Sequence, residues 1–490
     1  MKEILFQLDK SLPTGLQIQL KEQLVSAILS RAIQPGERLP SSRKLAKHLA
    51  VSRNTVTLVF QGLVDSGYLE PRPRSGFVVS RDAPARSQID QAQTVAQNTE
   101  KIDLLARIVK PGNKPNLLNK PLNWREYEYP FVYGQADFKL FNHSAWRDCA
   151  RQALGARDFG SLAGDFGHND DPLLVNYIAH HSLPQRGIMM DPNNVLVTLG
   201  AQNALYLIAD LLIDSSTRVV LEKPCYPDLL DIVKKYTSHI ERIEVDEDGL
   251  VLDEDVLSRC DVLFVTPSHQ CPTTATMPTE RRKALLDLAG KYNFLVVEDD
   301  YEFEMNFLAA ASPALKSLDT QGRVLYVGSF SKSLFPGLRL GYLAASKTFI
   351  ERTRELRHLM FRHPPGHAQR TAAYFMALGY YDSQISRLKR VLARRRQVMQ
   401  NALNDVGLSN SSAARFGGTS FWIEGPDWLD AEILAAKLRE QSVLIEPGAP
   451  FFAGLDRKSN HFRVAYSSII KKQIPQGVER IRHAIDQLAL

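Results

Sequence analysis

Ser329-Phe330-Ser331-Lys332-Ser333-Leu334-Phe335-Pro336-Gly337-Leu338-Arg339-Leu340-Gly341-Tyr342 is entered from a strand-like run, Val324-Leu325-Tyr326-Val327. Lys332 stands between two small hydroxyl residues, and Arg339 follows seven positions on. A lysine that acts as a nucleophile needs a fixed position and a partly dry site that lowers its pKa. A phosphate beside it needs hydroxyls, backbone N–H groups and a guanidinium. Ser329, Ser331, Lys332 and Arg339 supply these groups together.

Upstream, Phe294-Leu-Val-Val-Glu298-Asp299-Asp300-Tyr301 reads as a buried strand running into three acids. That is the end of the strand where α/β sheets place ligand groups. Val195-Leu-Val-Thr198 is another strand, and Gly200-Ala201-Gln202 opens the helix after it. A helix start offers free N–H groups and the positive end of a dipole to a phosphate. Val219-Val-Leu-Glu222 leads to a loop carrying Tyr226, an aromatic able to stack on a flat ring. Val265-Thr-Pro-Ser-His269-Gln270-Cys-Pro-Thr273 is a strand and polar turn, and His269 or Gln270 is its candidate ligand group. In Asn460-His-Phe-Arg463-Val-Ala-Tyr466 a single guanidinium can grip a carboxylate or sulfonate.

The 490 residues predict more than one domain, and 44% apolar content provides an ordinary core. Cys149, Cys225, Cys260 and Cys271 have no metal or redox spacing, which suits a reducing compartment. The start lacks a signal-peptide core, and no run is apolar enough to span a bilayer. A cytoplasmic protein without a membrane partner is the expectation. Charge is uneven: residues 1–79 hold eleven Lys/Arg against six Asp/Glu, nearly all of the net +6. Such asymmetry predicts an N-terminal module that meets a polyanion.

Within that module, Leu16, Leu20, Leu24 and Ile28 mark one face of a first helix. A second opens at Ser41 or Ser42 with Leu45, Ala46 and Leu49 buried. A third begins at Arg53 with Val56, Val59, Phe60 and Leu63, and Gly67 stops it. Leu69 and Phe77-Val-Val79 flank a turn, giving a wing. The pattern is a winged helix-turn-helix whose third helix enters the major groove, with Ser52, Arg53, Asn54 and Thr55 at base edges. Arg43, Lys44 and Lys47 suit phosphates, and Arg72 and Arg74 suit phosphate or the minor groove. Leu39-Pro-Ser-Ser-Arg-Lys-Leu-Ala, Val51-Ser-Arg-Asn-Thr-Val56, Leu69-Glu and Ser75-Gly76 closely resemble the GntR family of DNA-binding domains.

The expected organisation is therefore a head at 1–80, a flexible polar linker at 81–125, and an α/β body at 126–490. Strands and helices alternate through the body. Its motifs follow the order of the aminotransferase superfamily, and the lysine stretch resembles that of its fold-type I pyridoxal-phosphate (PLP) enzymes. The resemblance implies a PLP imine on Lys332, and Asp299 on the ring nitrogen. It implies Tyr301 and His269 near the phenolic oxygen, and Tyr226 on the ring face. Phosphate would fall to Gly200, Ala201, Gln202, Ser329, Ser331 and Arg339, and the effector's anion to Arg463.

A GntR-type head on this body resembles the MocR-type bacterial regulators, and Thr266-Pro-Ser-His-Gln270 looks like their version of the turn. Arg362-His-Pro-Pro-Gly-His-Ala-Gln-Arg370 and Gly417-Gly-Thr-Ser-Phe-Trp422 look like the branch that senses taurine or ectoine-derived metabolites. The resemblance implies a homodimer on operator DNA that senses an amine or amino acid by external aldimine formation. Two alternatives stand beside it: a working aminotransferase with a DNA-localising head, and a PLP sensor controlling vitamin B6 synthesis. Three departures weigh against efficient transamination. Thr274 stands where the family turn has Gly, and Cys271 where many aminotransferases have Asn. Asp165-Phe166 replaces a region that often carries a Tyr.

Overall fold

The computed structural model describes residues 6–72, 76–84, 107, 120–135, 137–164, 169–309, 312–408, 417–452 and 459–489. Arg74, Asp165 and Phe166 lie outside the described residues, as does most of the expected linker. The chain divides into two compact units, Met1–Pro111 and Gly112–Leu490.

In the first unit, helices α1 (Leu16–Leu29), α2 (Ser42–His48) and α3 (Arg53–Asp65) precede a hairpin of β1 (Leu69–Arg72) and β2 (Gly76–Val79). Leu20, Leu24, Ile28, Val56, Val59, Phe60 and Leu63 share one core, because four-residue spacing puts each set on a single helix face. Ser41 caps α2 by accepting from the Lys44 N–H. Ser52 caps α3, accepting from the Thr55 N–H at 3.0 Å. Gly67 takes φ +74°, and Tyr68 N–H reaches back to the Leu63 carbonyl at 2.9 Å, which closes α3. The antiparallel hairpin pairs Arg72 with Gly76. Ala83 packs in this core, so the folded head runs past the expected boundary at 80.

The second unit is described by itself. Trp124 is buried against Val132 and Leu444, so ordered body structure begins inside the span expected as linker. A short strand, β3 (Tyr129–Pro130), comes first. Among the described residues, β4 (Val195–Thr198), β5 (Val219–Lys223), β6 (Ile240–Asp246), β7 (Gly249–Leu250), β8 (Val262–Val265), β9 (Leu295–Asp300), β10 (Val324–Ser329) and β11 (Gly341–Ala344) form one eight-stranded sheet. Its order is β4-β11-β10-β9-β8-β5-β6-β7. The run β10-β9-β8-β5-β6 is parallel, and β11 lies antiparallel to both its neighbours.

Side chains alternate between faces with period two. Leu325 and Val327 of β10 pack with Leu205 and Ile208 of the helix Ala201–Leu212. Val324 packs instead with Leu285 and Ala289 of the helix Thr279–Tyr292. Helices therefore cover both faces, which is why the strands read as continuous apolar runs.

A smaller layer follows. The strands β12 (Ser420–Glu424), β14 (Glu446–Pro447) and β15 (His461–Ala465) form a three-stranded sheet in the order β12-β15-β14, and β13 (Val443–Leu444) pairs with β3. Phe421, Ile423, Phe462 and Val464 pack there against the helices Tyr380–Asp405 and Ile474–Leu488.

Candidate cofactor and effector site

The C-terminal ends of parallel strands leave carbonyls and side chains facing a common crevice. Here β9 ends at Asp299-Asp300 and β10 at Gly328-Ser329. Gly328 is required: a Cβ there would lie 2.2 Å from the Tyr342 ring. A cavity of about 190 Å³ opens at these ends, lined by Tyr133, Gly134, Ala201, Gln202, Tyr226, Cys271, Asp299, Tyr301, Ser329, Ser331, Lys332 and Arg339.

Burial pulls the Lys332 ammonium down to about 8, and the Glu302 carboxylate opposes the drop. Its Nζ stands 3.9 Å from the Tyr133 ring centre. Gly134 has φ +71°, and a Cβ there would come within 2.5 Å of that nitrogen, so the backbone walls the lysine in. Asp299 faces the opposite shift: burial, with Asp300 and Glu222 nearby, pushes its carboxyl up to about 8. Its Oδ1 is buried and has no hydrogen-bond partner among the described residues. An orphaned carboxyl oxygen of this kind calls for a cation or N–H opposite it.

Asp300, one residue on, is spoken for. Arg186 Nε meets its Oδ2 at 2.7 Å and Tyr326 donates to it at 2.8 Å, all three groups being buried. Removing one partner of such a pair costs about 3–5 kcal/mol, so the end of β9 is firmly held. Nothing in the sequence marked Arg186.

Arg339 occupies a left-handed backbone position at φ +53° and donates to the Leu199 carbonyl at 3.1 Å. Gly200 lies against it: a Cβ would fall 3.2 Å from the guanidinium. Gly200, at φ +82°, starts the helix Ala201–Leu212, whose first residues, Ala201 and Gln202, line the cavity. The donor set fits pyridoxal phosphate. A helix start, Ser329, Ser331 and Arg339 suit the phosphate, the orphaned Asp299 oxygen suits the ring nitrogen, and Lys332 suits the aldehyde carbon.

Two expectations change. His269 does not line the cavity; it is 2% exposed with neither ring nitrogen hydrogen-bonded, and burial lowers its pKa. The turn after β8 aims Cys271 at the cavity instead, its thiol pushed up to about 12 by burial. Gln270 is consumed internally, donating to Glu222 at 3.1 Å and Pro224 O at 2.8 Å. Arg463, expected to take the effector's anion, is already paired. Its Nε and Nη2 both sit 2.7 Å from Glu446 Oε2, and its guanidinium lies 3.7 Å from the Tyr133 ring centre. Antiparallel register sets Glu446 opposite Arg463, which no local pattern reveals. Tyr226 lines the cavity, its hydroxyl donating to Asp228 at 2.7 Å. Arg370, in the motif quoted for the sensing branch, is tied to Asp171 at 2.6 Å and Asp158 at 3.0 Å.

On the head, Arg43, Lys44, Lys47, Arg53, Asn54 and Arg72 are exposed, and Thr55 is half-buried. The Ser52 hydroxyl, expected at a base edge, is engaged with both the N–H and the hydroxyl of Thr55. A helix start needs an acceptor there, and Ser52 supplies it.

Comparison with known proteins agrees with both units. Residues 122–481 match the family of class I and II aminotransferases, and residues 16–79 match the gntR family of bacterial regulatory proteins. The HTH-type transcriptional regulator TauR of Rhodobacter capsulatus is 47% identical over 96% of both chains. The probable rhizopine catabolism regulatory protein MocR of Rhizobium meliloti is 30% identical over 80% of this chain and 78% of its own. Among solved structures, the α-aminoadipate aminotransferase LysN of Thermus thermophilus, bound to N-(5'-phosphopyridoxyl)-L-leucine, superposes with a TM-score of 0.67. It is 29% identical and covers 73% of this chain and 92% of its own. The chain belongs to the MocR-type transcription regulators, in which a GntR-family DNA-binding head precedes a class I and II aminotransferase body.

Proposed function

We propose that the chain is a cytoplasmic, homodimeric regulator that binds operator DNA through α3 and its wing and senses a small amine or amino acid through pyridoxal phosphate held at Lys332. One observation carries the reading: Lys332 and Asp299, whose carboxyl keeps one orphaned oxygen, line one cavity, while the exposed cationic helices belong to a different compact unit. Bound pyridoxal phosphate supplies a carbonyl carbon that exchanges between amines. The chain's residues do the rest. Asp299 would accept from the ring nitrogen, Tyr301 and Cys271 would border the ring, and Ser329, Ser331 and Arg339 would hold the phosphate. Lys332 would hold the carbonyl carbon and yield it to an effector amine, and Arg463 would take the effector's far, anionic end. A taurine-like aminosulfonate has the required two ends. The energy difference between the lysine-bound and effector-bound states is what alters the grip on DNA. Class I and II bodies and paired half-sites both favour a two-fold dimer.

The test is a titration of the full-length PLP-loaded protein with a panel of amines. It follows the visible absorption band together with affinity for the DNA upstream of its own and neighbouring genes. Effective amines should shift the band and change DNA affinity over the same concentration range, and Lys332→Ala should lose both responses. Steady multiple turnover with a keto acid, and no change in DNA binding, would turn the reading toward an enzyme.

A further inference from the structure

Glu446 occupies the seat that an anionic effector needs. Both Nε and Nη2 of Arg463 point at its Oε2 at 2.7 Å, while its Oε1 accepts from the Tyr133 N–H at 3.3 Å. The pair is dry, with side-chain exposures of 3% for Arg463 and 13% for Glu446. Tyr133 completes the closure. Its ring lies 3.7 Å from the Arg463 guanidinium and 3.9 Å from Lys332 Nζ, so it stands between the two groups an effector must bridge. Its hydroxyl donates to Glu302 at 3.4 Å, which holds the ring at its far end.

We propose that Glu446 is the specificity-determining residue of the effector site: it acts as a built-in rival anion, which an effector's anionic end must displace from Arg463. This rests on the sensing function proposed above. With Glu446 in place the seat is neutral overall, and an anion entering it meets the carboxylate's repulsion in surroundings that screen poorly. Neutral amines gain nothing from Arg463, and weak anions fail to dislodge Glu446. The displaced carboxylate has a second partner nearby. Burial and the Arg125 charge pull the Lys120 ammonium down, and the Glu446 carboxylate is the charge that opposes them. Displaced from Arg463, Glu446 keeps the Lys120 charge in its surroundings, and Tyr133 loses its N–H acceptor in the exchange.

The test compares taurine with ethanolamine, an amine of the same length without the negative charge, on the full-length PLP-loaded protein. Half-saturation is read from the visible band and by calorimetry. Glu446→Gln keeps the shape and removes the rival charge. It should tighten taurine binding about tenfold or more while ethanolamine stays within about twofold. Lys120→Met is the independent arm: it should weaken taurine several-fold and leave ethanolamine unchanged, because the displaced carboxylate loses the positive charge that remains near it. A taurine-to-ethanolamine ratio unchanged in both variants, with the wild type responding, overturns this inference alone. A wild type whose band responds to no amine overturns the sensing function, and this inference with it.

Discussion

Lys332 and Asp299 are shifted in opposite directions by one cause. Burial penalises whichever form is charged, so the ammonium comes down to about 8 and the carboxyl goes up to about 8. Both thereby become groups that exchange a proton near physiological pH. The neutral amine is the nucleophile, and its fraction rises as pH passes the pKa. The rate at which apo protein takes up pyridoxal phosphate should therefore climb with pH and level off with a midpoint of about 8. A rate still climbing above about pH 10, where free lysine titrates, would show that Lys332 is not desolvated. Both residues were legible in the sequence because their demands are local: a lysine between hydroxyls, an acid at a strand end. Tyr133 and Glu446 were not, since Tyr133 lies far upstream and Glu446 reaches Arg463 only through strand register.

Among the elements, the turn after β8 carries the clearest strain. Thr274, which stands where related turns have Gly, sits at φ +62°. A β-branched residue in the left-handed region is a steric outlier costing about 1–3 kcal/mol. Its hydroxyl is also buried without a partner among the described residues. Against this, Gly is more flexible in the unfolded chain by roughly 0.5–1 kcal/mol, and a buried methyl is lost. The strain and the orphaned hydroxyl outweigh those terms. Thr274→Gly should stabilise the protein by about 1 kcal/mol in urea denaturation, and a clear loss of stability would show the turn is relaxed as it stands. The sequence flagged Thr274 as a departure, but its backbone angle belongs to the folded turn. Elsewhere the elements followed their patterns closely: α1, α2 and α3 formed where apolar spacing and caps placed them.

For the whole molecule, charge asymmetry and the two matched families divide the work between a head and a body. Arg53 opens α3 and is exposed. Arg53→Ala should weaken operator binding by about 1–3 kcal/mol and relax preference at one base position, as read by gel shift on mutated operators. A uniform loss on all sequences would assign Arg53 to the phosphates instead. The head's folded structure extends beyond residue 80 because Ala83 completes its core, and the body begins early because Trp124 packs on Leu444. Composition gave no warning of either, since single apolar residues in polar stretches carry no periodicity.

By itself the sequence determined the two-part architecture, the side chains gathered at the strand ends and the helices of the head. Apolar periodicity, caps and strand-end chemistry are properties of neighbours along the chain, so they survive without the fold. Tertiary structure alone decided what faces Lys332 and Arg463. Cys271 lines the cavity where His269 was expected, because in a tight turn side-chain direction follows the folded backbone and not strand alternation. Glu446 closed Arg463 because antiparallel pairing sets residues 17 apart in sequence side by side. Contacts of that kind depend on register and packing, which a linear pattern does not encode.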